Sequence, residues 1–257
     1  MTNHNFHPLQ SMAATLIVLL LALAGCHQES RRETAATTVP AAASNDNTIY
    51  GLACEGSNDT IIIFLREPYT GANPDTLSVL RAMQSKQVFG KINTGDRLAI
   101  MKSQEGSTEA ELVIVTERLL GTWCYLQKPM LRQRADMEGM TEEQVLESLP
   151  DSVRQLLETA LEYGFTLKID SMALPIWHQQ QNTGTDSPIE YPPIKLYRQW
   201  CINNGHLLLI QSITDSAGVS QFIGQDTASL VMLKDDSLVL SFGTEQQSYY
   251  RKHDTTE

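Results

Sequence analysis

The chain has few basic residues for its length. In 257 residues, 19 Lys and Arg stand against 30 Asp and Glu, a formal net charge of −11. That balance argues against a nucleic-acid partner and against adhesion to lipid through a polybasic patch. Signatures of catalysis are missing too. There is no Gly-x-Ser-x-Gly elbow, P-loop, His-Glu-x-x-His or Rossmann glycine pattern. His178, His206 and His253 lack ligand spacing, and no Cys-x-x-Cys occurs. Cys201 and His206 flank a hairpin without the orienting group or oxyanion site that a nucleophile pair needs. The expectation is a non-enzyme with no catalytic residue, no cofactor and no metal site.

Long apolar runs are also scarce. The only extended one, Met12 to Ala24, is shorter than the roughly 20 residues of a membrane span and fits the hydrophobic region of a signal peptide. No Lys or Arg precedes it; His4 and His7 do. Leu23-Ala24-Gly25-Cys26 resembles the bacterial lipobox, in which Cys26 would be acylated and become the first mature residue. Residues 1–25 then read as a lipoprotein signal peptide, with the membrane engaged through acylated Cys26 and the folded part wholly outside it. The expected location is the cell envelope, as an outer-membrane lipoprotein. Cys54, Cys124 and Cys201 remain, an odd number that permits one disulfide in any of three pairings. Their apolar neighbours favour three packed core thiols.

Residues 26–47 read as a flexible tether, rich in Ala, Thr, Ser and Asn and too poor in large apolar groups to fold. From 48 to 118 the pattern is β. Ile49–Cys54, Thr60–Leu65, Val88–Ile92, Arg97–Met101 and Ala110–Leu119 are strand-like runs parted by turn residues, and Asn73–Met83 is either a helical turn or an irregular strand. Five strands in so short a span predict a small OB-like barrel. Its charge is near balance, 7 Lys and Arg against 9 Asp and Glu, with Tyr50, Phe64, Phe89 and Tyr69 its only aromatics. A nucleic-acid face needs cations and stacking rings together, so a structural or docking role fits better.

Residues 119–257 predict a second, larger barrel. Met137–Glu162 is its one helical region, opened by the capping box Thr141-Glu-Glu-Gln144 and divided by Pro150. Its apolar stripe suits a lid over one barrel mouth. Strand signals follow. Phe165, Leu167 and Ile169 alternate with polar residues; Ile194, Leu196, Trp200 and Ile202 share a face with Arg198, and Tyr197 takes the other. Asn203-Asn204-Gly205 marks a hairpin, Ala217–Gly224 a weaker strand, and Ser229–Lys234 with Ser237–Phe242 a last strong pair before Gln246–Lys252. Eight or nine strands suffice to close a barrel.

Gly121-Thr122-Trp123, Gly164–Asp170, Tyr197-Arg-Gln-Trp200, Gly205–Leu209, Leu233–Leu240 and Tyr250-Arg251, in this order, resemble the lipocalin-like domain of Bacteroidales lipoproteins. The resemblance spans roughly Leu119 to Lys252. It implies a mainly β chain, in which an OB-like barrel precedes a lipocalin-like up-and-down barrel with a short helical insertion. It also implies a closing pair at one end, Trp123 beneath Arg251, with Gly121 beside it, and a ligand entrance at the other. The inward-facing candidates for a small apolar ligand are Phe165, Leu167, Trp200 and Leu209. The alternative is that these residues only pack the core. The chain would then be an interaction module of the envelope, its first barrel docking a protein partner.

Overall fold

The computed structural model describes residues 46–71, 73–132, 137–177, 187–216 and 218–253, all within one compact unit, Val39–Glu257. The signal peptide, Cys26 and almost the whole tether lie outside the described residues.

The first barrel is built from β1 (Ile49–Ala53), β2 (Ile61–Arg66), β3 (Asp75–Ser78), β4 (Val88–Phe89), β5 (Arg97–Lys102) and β6 (Ala110–Val115). The strand order is β3-β2-β1-β5-β6-β4. A parallel bridge from Ser78 to Glu109, with the Ser78 amide donating to the Thr108 carbonyl at 2.8 Å, brings β3 against β6 and closes the ring. Helix α1 (Leu80–Gln84) sits in the β3-to-β5 connection. The ring itself has five strands, β1, β2, β3, β5 and β6, with β4 added in parallel alongside β6, and a five-stranded, partly open ring of this kind is the OB-type barrel. The segment Asn73–Met83 thus holds both of the forms its sequence allows, a strand and then one short helix. Ile62, Phe64, Leu77, Leu98, Ile100, Val113 and Val115 fill this barrel's interior.

The second barrel is one antiparallel sheet of eight strands, ordered β10-β9-β7-β16-β15-β14-β13-β12. They are β7 (Gly121–Gln127), β9 (Leu161–Leu167), β10 (Ala173–Ile176), β12 (Tyr197–Asn203), β13 (His206–Thr214), β14 (Ser220–Leu233), β15 (Ser237–Phe242) and β16 (Glu245–Lys252). Its first strand pairs with its last, Trp123 opposite Arg251. The two sheet edges, β10 and β12, meet through a bridge between Met172 and Gln199. Around that seam the Trp200 amide donates to the Ser171 carbonyl at 2.9 Å and its indole to the Lys168 carbonyl at 2.8 Å. The result is a nearly closed, up-and-down barrel. Outside it, β8 (Met130–Leu131) pairs with β11 (Ile189–Glu190).

Several expectations shift in register or extent. The helical region is shorter than its apolar stripe: α2 (Glu142–Ser148) and α3 (Asp151–Glu158) end before Leu161 and Glu162, which are the first residues of β9. Pairing of Leu161 with Gln127 outweighs helical spacing there. The capping box at Thr141 and Gln144 is present. The weaker strand signal of Ala217–Gly224 and the strong one of Ser229–Lys234 fuse into the 14-residue β14. A β-bulge between Tyr197 and Gln199 turns Tyr197 inward, onto the same buried face as Trp200, and leaves Arg198 exposed. The extra residue of a bulge breaks strict alternation. Cys54, Cys124 and Cys201 are free thiols, Cys124 buried and the others half-buried.

Both barrels share apolar packing. Strands β5 and β6 are buried on both faces, so Ala99 and Ile114 on the outer face join Phe89 in a cluster with Leu119, Trp123 and the second barrel's interior. The Tyr50 hydroxyl donates to the Ile202 carbonyl at 2.5 Å. The Asp46 carboxylate accepts from the Asn204 amide at 2.9 Å, which seats the β12–β13 hairpin against the first barrel.

Candidate functional site

Strand direction sorts the second barrel into two ends. At one end lie the start of β7, the end of β16 and the β14–β15 turn. Here the Arg251 guanidinium stacks over the Trp123 ring, 4.1 Å from its centroid. Its Nη1 donates to the Leu120 carbonyl at 2.5 Å, Nη2 to Arg118 at 2.8 Å, and Nε to the Asp235 carbonyl. The Trp123 indole donates to the Leu119 carbonyl at 2.7 Å and is fully buried. Gly121 has φ +118°, and a Cβ there would overlap Arg251 Nη1. This end is plugged: a cation and an indole fill it, and each of their four nitrogens donates to a carbonyl.

The opposite end holds a cavity of about 240 Å³. Its walls include Tyr125, Tyr163, Phe165, Ile176, Tyr197 and Tyr249. The rings pack on one another. Tyr125 and Tyr249 meet edge to face at 5.4 Å, Phe165 and Tyr249 lie 5.2 Å apart, and Phe165 meets Tyr197 at 81°. Such contacts fix ring orientation as well as excluding water. One side is polar. Asp226, opposite Leu209 in register, accepts from the Tyr197 hydroxyl and from Lys195 Nζ, the latter at 2.9 Å. Lys195 also lies 5.7 Å above the Phe242 ring. Burial raises the pKa of Tyr197, reinforced by its bond to Asp226, and burial likewise raises those of Tyr249 and Tyr125. All three hydroxyls therefore stay protonated as donors through the physiological range.

The inward candidates occupy different depths. Phe165, Leu167, Trp200 and Leu209 all belong to the same buried cluster. Only Phe165 walls the mouth cavity; Leu167, Trp200 and Leu209 lie in the packed interior. Tyr125 and Tyr249 are wall residues that sequence reasoning passed over. Their signal was parity: each is two positions from a member of the closing pair, Trp123 and Arg251, and so shares its inward face. The helices α2 and α3 do not wall this cavity. Their apolar faces instead border a separate open groove of about 1050 Å³ beside Met130 and Leu131, because the insertion pairs outward through β8 and β11. Among the described residues no cluster of His, Cys, Asp and Glu is suited to a metal ion, and no helix is long and apolar enough to cross a membrane.

No family model matches the chain, and no curated protein matches it. Among solved structures, a lipocalin-like protein from Bacteroides thetaiotaomicron VPI-5482 aligns with 52% of this chain and 96% of its own, at 16% identity and a TM-score of 0.26.

Proposed function

We propose that this is a lipid-anchored envelope protein, held at the outer membrane through Cys26, whose second barrel binds a small hydrophobic ligand at its open mouth. The observation that carries the reading is the aromatic cavity of about 240 Å³ opposite the plugged end. Its size sets the ligand class. Pockets for drug-sized molecules run from about 300 to 1,000 Å³, so this one suits a compact molecule, not an extended acyl chain. Ring walls favour a flat or ring-bearing body, and the Tyr197–Asp226–Lys195 group offers one polar contact. The chemistry is binding, not catalysis.

Native mass spectrometry of protein isolated from its own membrane tests this. A co-purifying small molecule lost in Tyr249→Trp, where the larger ring fills the cavity, is the expected result. Protein free of ligand in the native and variant forms alike would sink it. The second reading, an envelope interaction module with a ligand-free barrel, draws support from one observation. Trp123, Leu167, Leu207, Leu209 and Leu238 fill the interior beneath the cavity with no exposed surface beyond 1%.

A further inference from the structure

The β13–β14 hairpin outruns its neighbours. β12 pairs with β13 only as far as Gln211, and β15 pairs with β14 only from Ser229 onward. Among the described residues, Ser212–Thr214 and Ser220–Phe222 pair only with each other, with a bulge at Ile223, and form a ribbon past the open end of the barrel. Ribbons of this kind are marginal on their own. On it Ile213, Val219, Phe222 and Ile223 are each 47–54% exposed. Trp177, which follows β10, and Ile194, which precedes β12, are similarly exposed at the same end. The ribbon is also nearly uncharged in an acidic chain. From Gln211 to Gln225 the one charged residue is Asp215, whose carboxylate accepts from the Val219 amide at 2.8 Å and so closes the turn.

We propose that this ribbon is a docking surface for a lipid bilayer, on which it rests its apolar side chains at headgroup depth. Three considerations select that occupant. The register puts Ile213 and Val219 on one face of the ribbon and Phe222 on the other, so its tip is apolar on both sides. All four side chains together offer on the order of 400 Å² per copy, about half of the roughly 800 Å² per partner that a stable protein interface buries, so a second copy is a poor fit. No described strand pairs with either edge of the ribbon, and edge backbone groups are not tolerated in hydrocarbon; this limits entry to the interface, where Trp and Phe side chains are at home. Lastly, the 21 residues from Cys26 to Asp46 reach about 70 Å when extended. A tether of that reach lets the open end turn to the bilayer that holds the anchor. The proposal rests on the anchored reading for that nearness, which turns weak contact into lasting contact. The mouth cavity would then open toward the lipid surface, where an apolar ligand concentrates.

The test uses the unacylated mature chain, residues 26–257 with Cys26→Ser, mixed with phosphatidylcholine vesicles. The expected result is co-sedimentation that resists added salt and weakens when phosphatidylglycerol is included, since the body carries net negative charge. Tryptophan emission quenched by brominated lipid would report Trp177 near the surface. Phe222→Ser with Ile223→Ser should cut partitioning roughly tenfold at unchanged melting temperature, and Phe222→Asp should cut it further. Absent partitioning, or partitioning equal in the variants, overturns the proposal. So does a monomer–dimer equilibrium abolished by the same variants without vesicle binding, which would assign the ribbon to a second copy. The anchor is judged separately, from the mass of Cys26 in the native protein. An unmodified Cys26 with intact vesicle binding would remove the anchor reading and leave this one standing.

Discussion

Arg251 lies across the ring of Trp123 and spends its donors on three carbonyls, those of Leu120, Arg118 and Asp235. The two residues come from the first and last strands of the barrel, so one contact ties together chain segments more than 120 residues apart. Trp123→Ala should destabilise by about 3–5 kcal/mol through cavity formation. Arg251→Ala should cost about 2–4 kcal/mol, from the lost stacking and the carbonyls left unpaired. Chemical denaturation of each variant measures both, and a change below about 0.5 kcal/mol in either would refute the closing role.

Gly121 should tolerate no side chain. Its φ of +118° is strained for any L-residue, and the added methyl would displace the guanidinium that closes the barrel. Gly121→Ala is expected to lose about 2 kcal/mol or more. Gly95→Ala is the control, since its φ of +88° carries the backbone strain with no neighbour in the way. A larger loss at Gly121 than at Gly95 isolates the clash with Arg251.

The latch at Asp46 should make stability fall in acid. Burial opposes its charge, but the amides of Asn204 and Thr48 and the hydroxyls of Thr48 and Tyr50 outweigh it, holding the pKa below the ordinary 3.8. A carboxylate depressed on folding stabilises fully above the unfolded value and loses that contribution as pH falls through the folded one. The native protein should therefore weaken below about pH 4, and Asp46→Asn should flatten that part of the profile. Parallel profiles for the two proteins would show that Asp46 contributes nothing.

At the other extreme, the cavity tyrosines should resist titration. Tyr197 and Tyr249 are raised by burial, Tyr197 further by its bond to Asp226. Below the unfolded value near 10 both states are protonated and this contribution is intact; it is lost as pH rises beyond. Ultraviolet titration should show these phenols ionising together with unfolding, and Asp226→Asn should ease Tyr197, which loses a hydrogen bond, more than Tyr249, which loses only a nearby charge. Free ionisation of every tyrosine near pH 10 in folded protein would contradict their burial.

Much of the architecture was readable where side-chain pattern and backbone agree. Asn204 and Gly205, both at positive φ, make the hairpin their sequence announces. Phe165 and Leu167 alternate inward as written. The misses share a cause: each is a tertiary pairing that local pattern does not record. Arg198 and Tyr197 exchange faces because of one extra residue. Leu161 joins a strand because Gln127 stands opposite. Ala99 and Ile114 sit in unbroken apolar runs, which fit a strand with either one or two covered faces. The mouth cavity is not legible in the sequence because its walls come from six separate strands, and neither volume nor ring orientation is written in any one of them.

That double burial yields the last prediction. Ile114 belongs to the first barrel by sequence and pairing, yet its side chain is fully buried among residues that include Leu119 and Trp123. Ile114→Ala should cost about 2–5 kcal/mol, as for other buried large-to-small changes. Its effect should reach beyond the first barrel. All three tryptophans, Trp123, Trp177 and Trp200, lie in the second, so tryptophan emission reports that barrel's unfolding alone. If the shared cluster couples the two, Ile114→Ala shifts the emission transition as far as it shifts the circular dichroism of the whole chain, and calorimetry shows one peak. Ile62→Ala, inside the first barrel and away from the shared cluster, tests the depth of that coupling. An equal shift in emission means the barrels fold as one cooperative unit. An early circular dichroism transition with unchanged emission means that the first barrel can melt by itself, and that the contact through Ala99 and Ile114 is a docking seam.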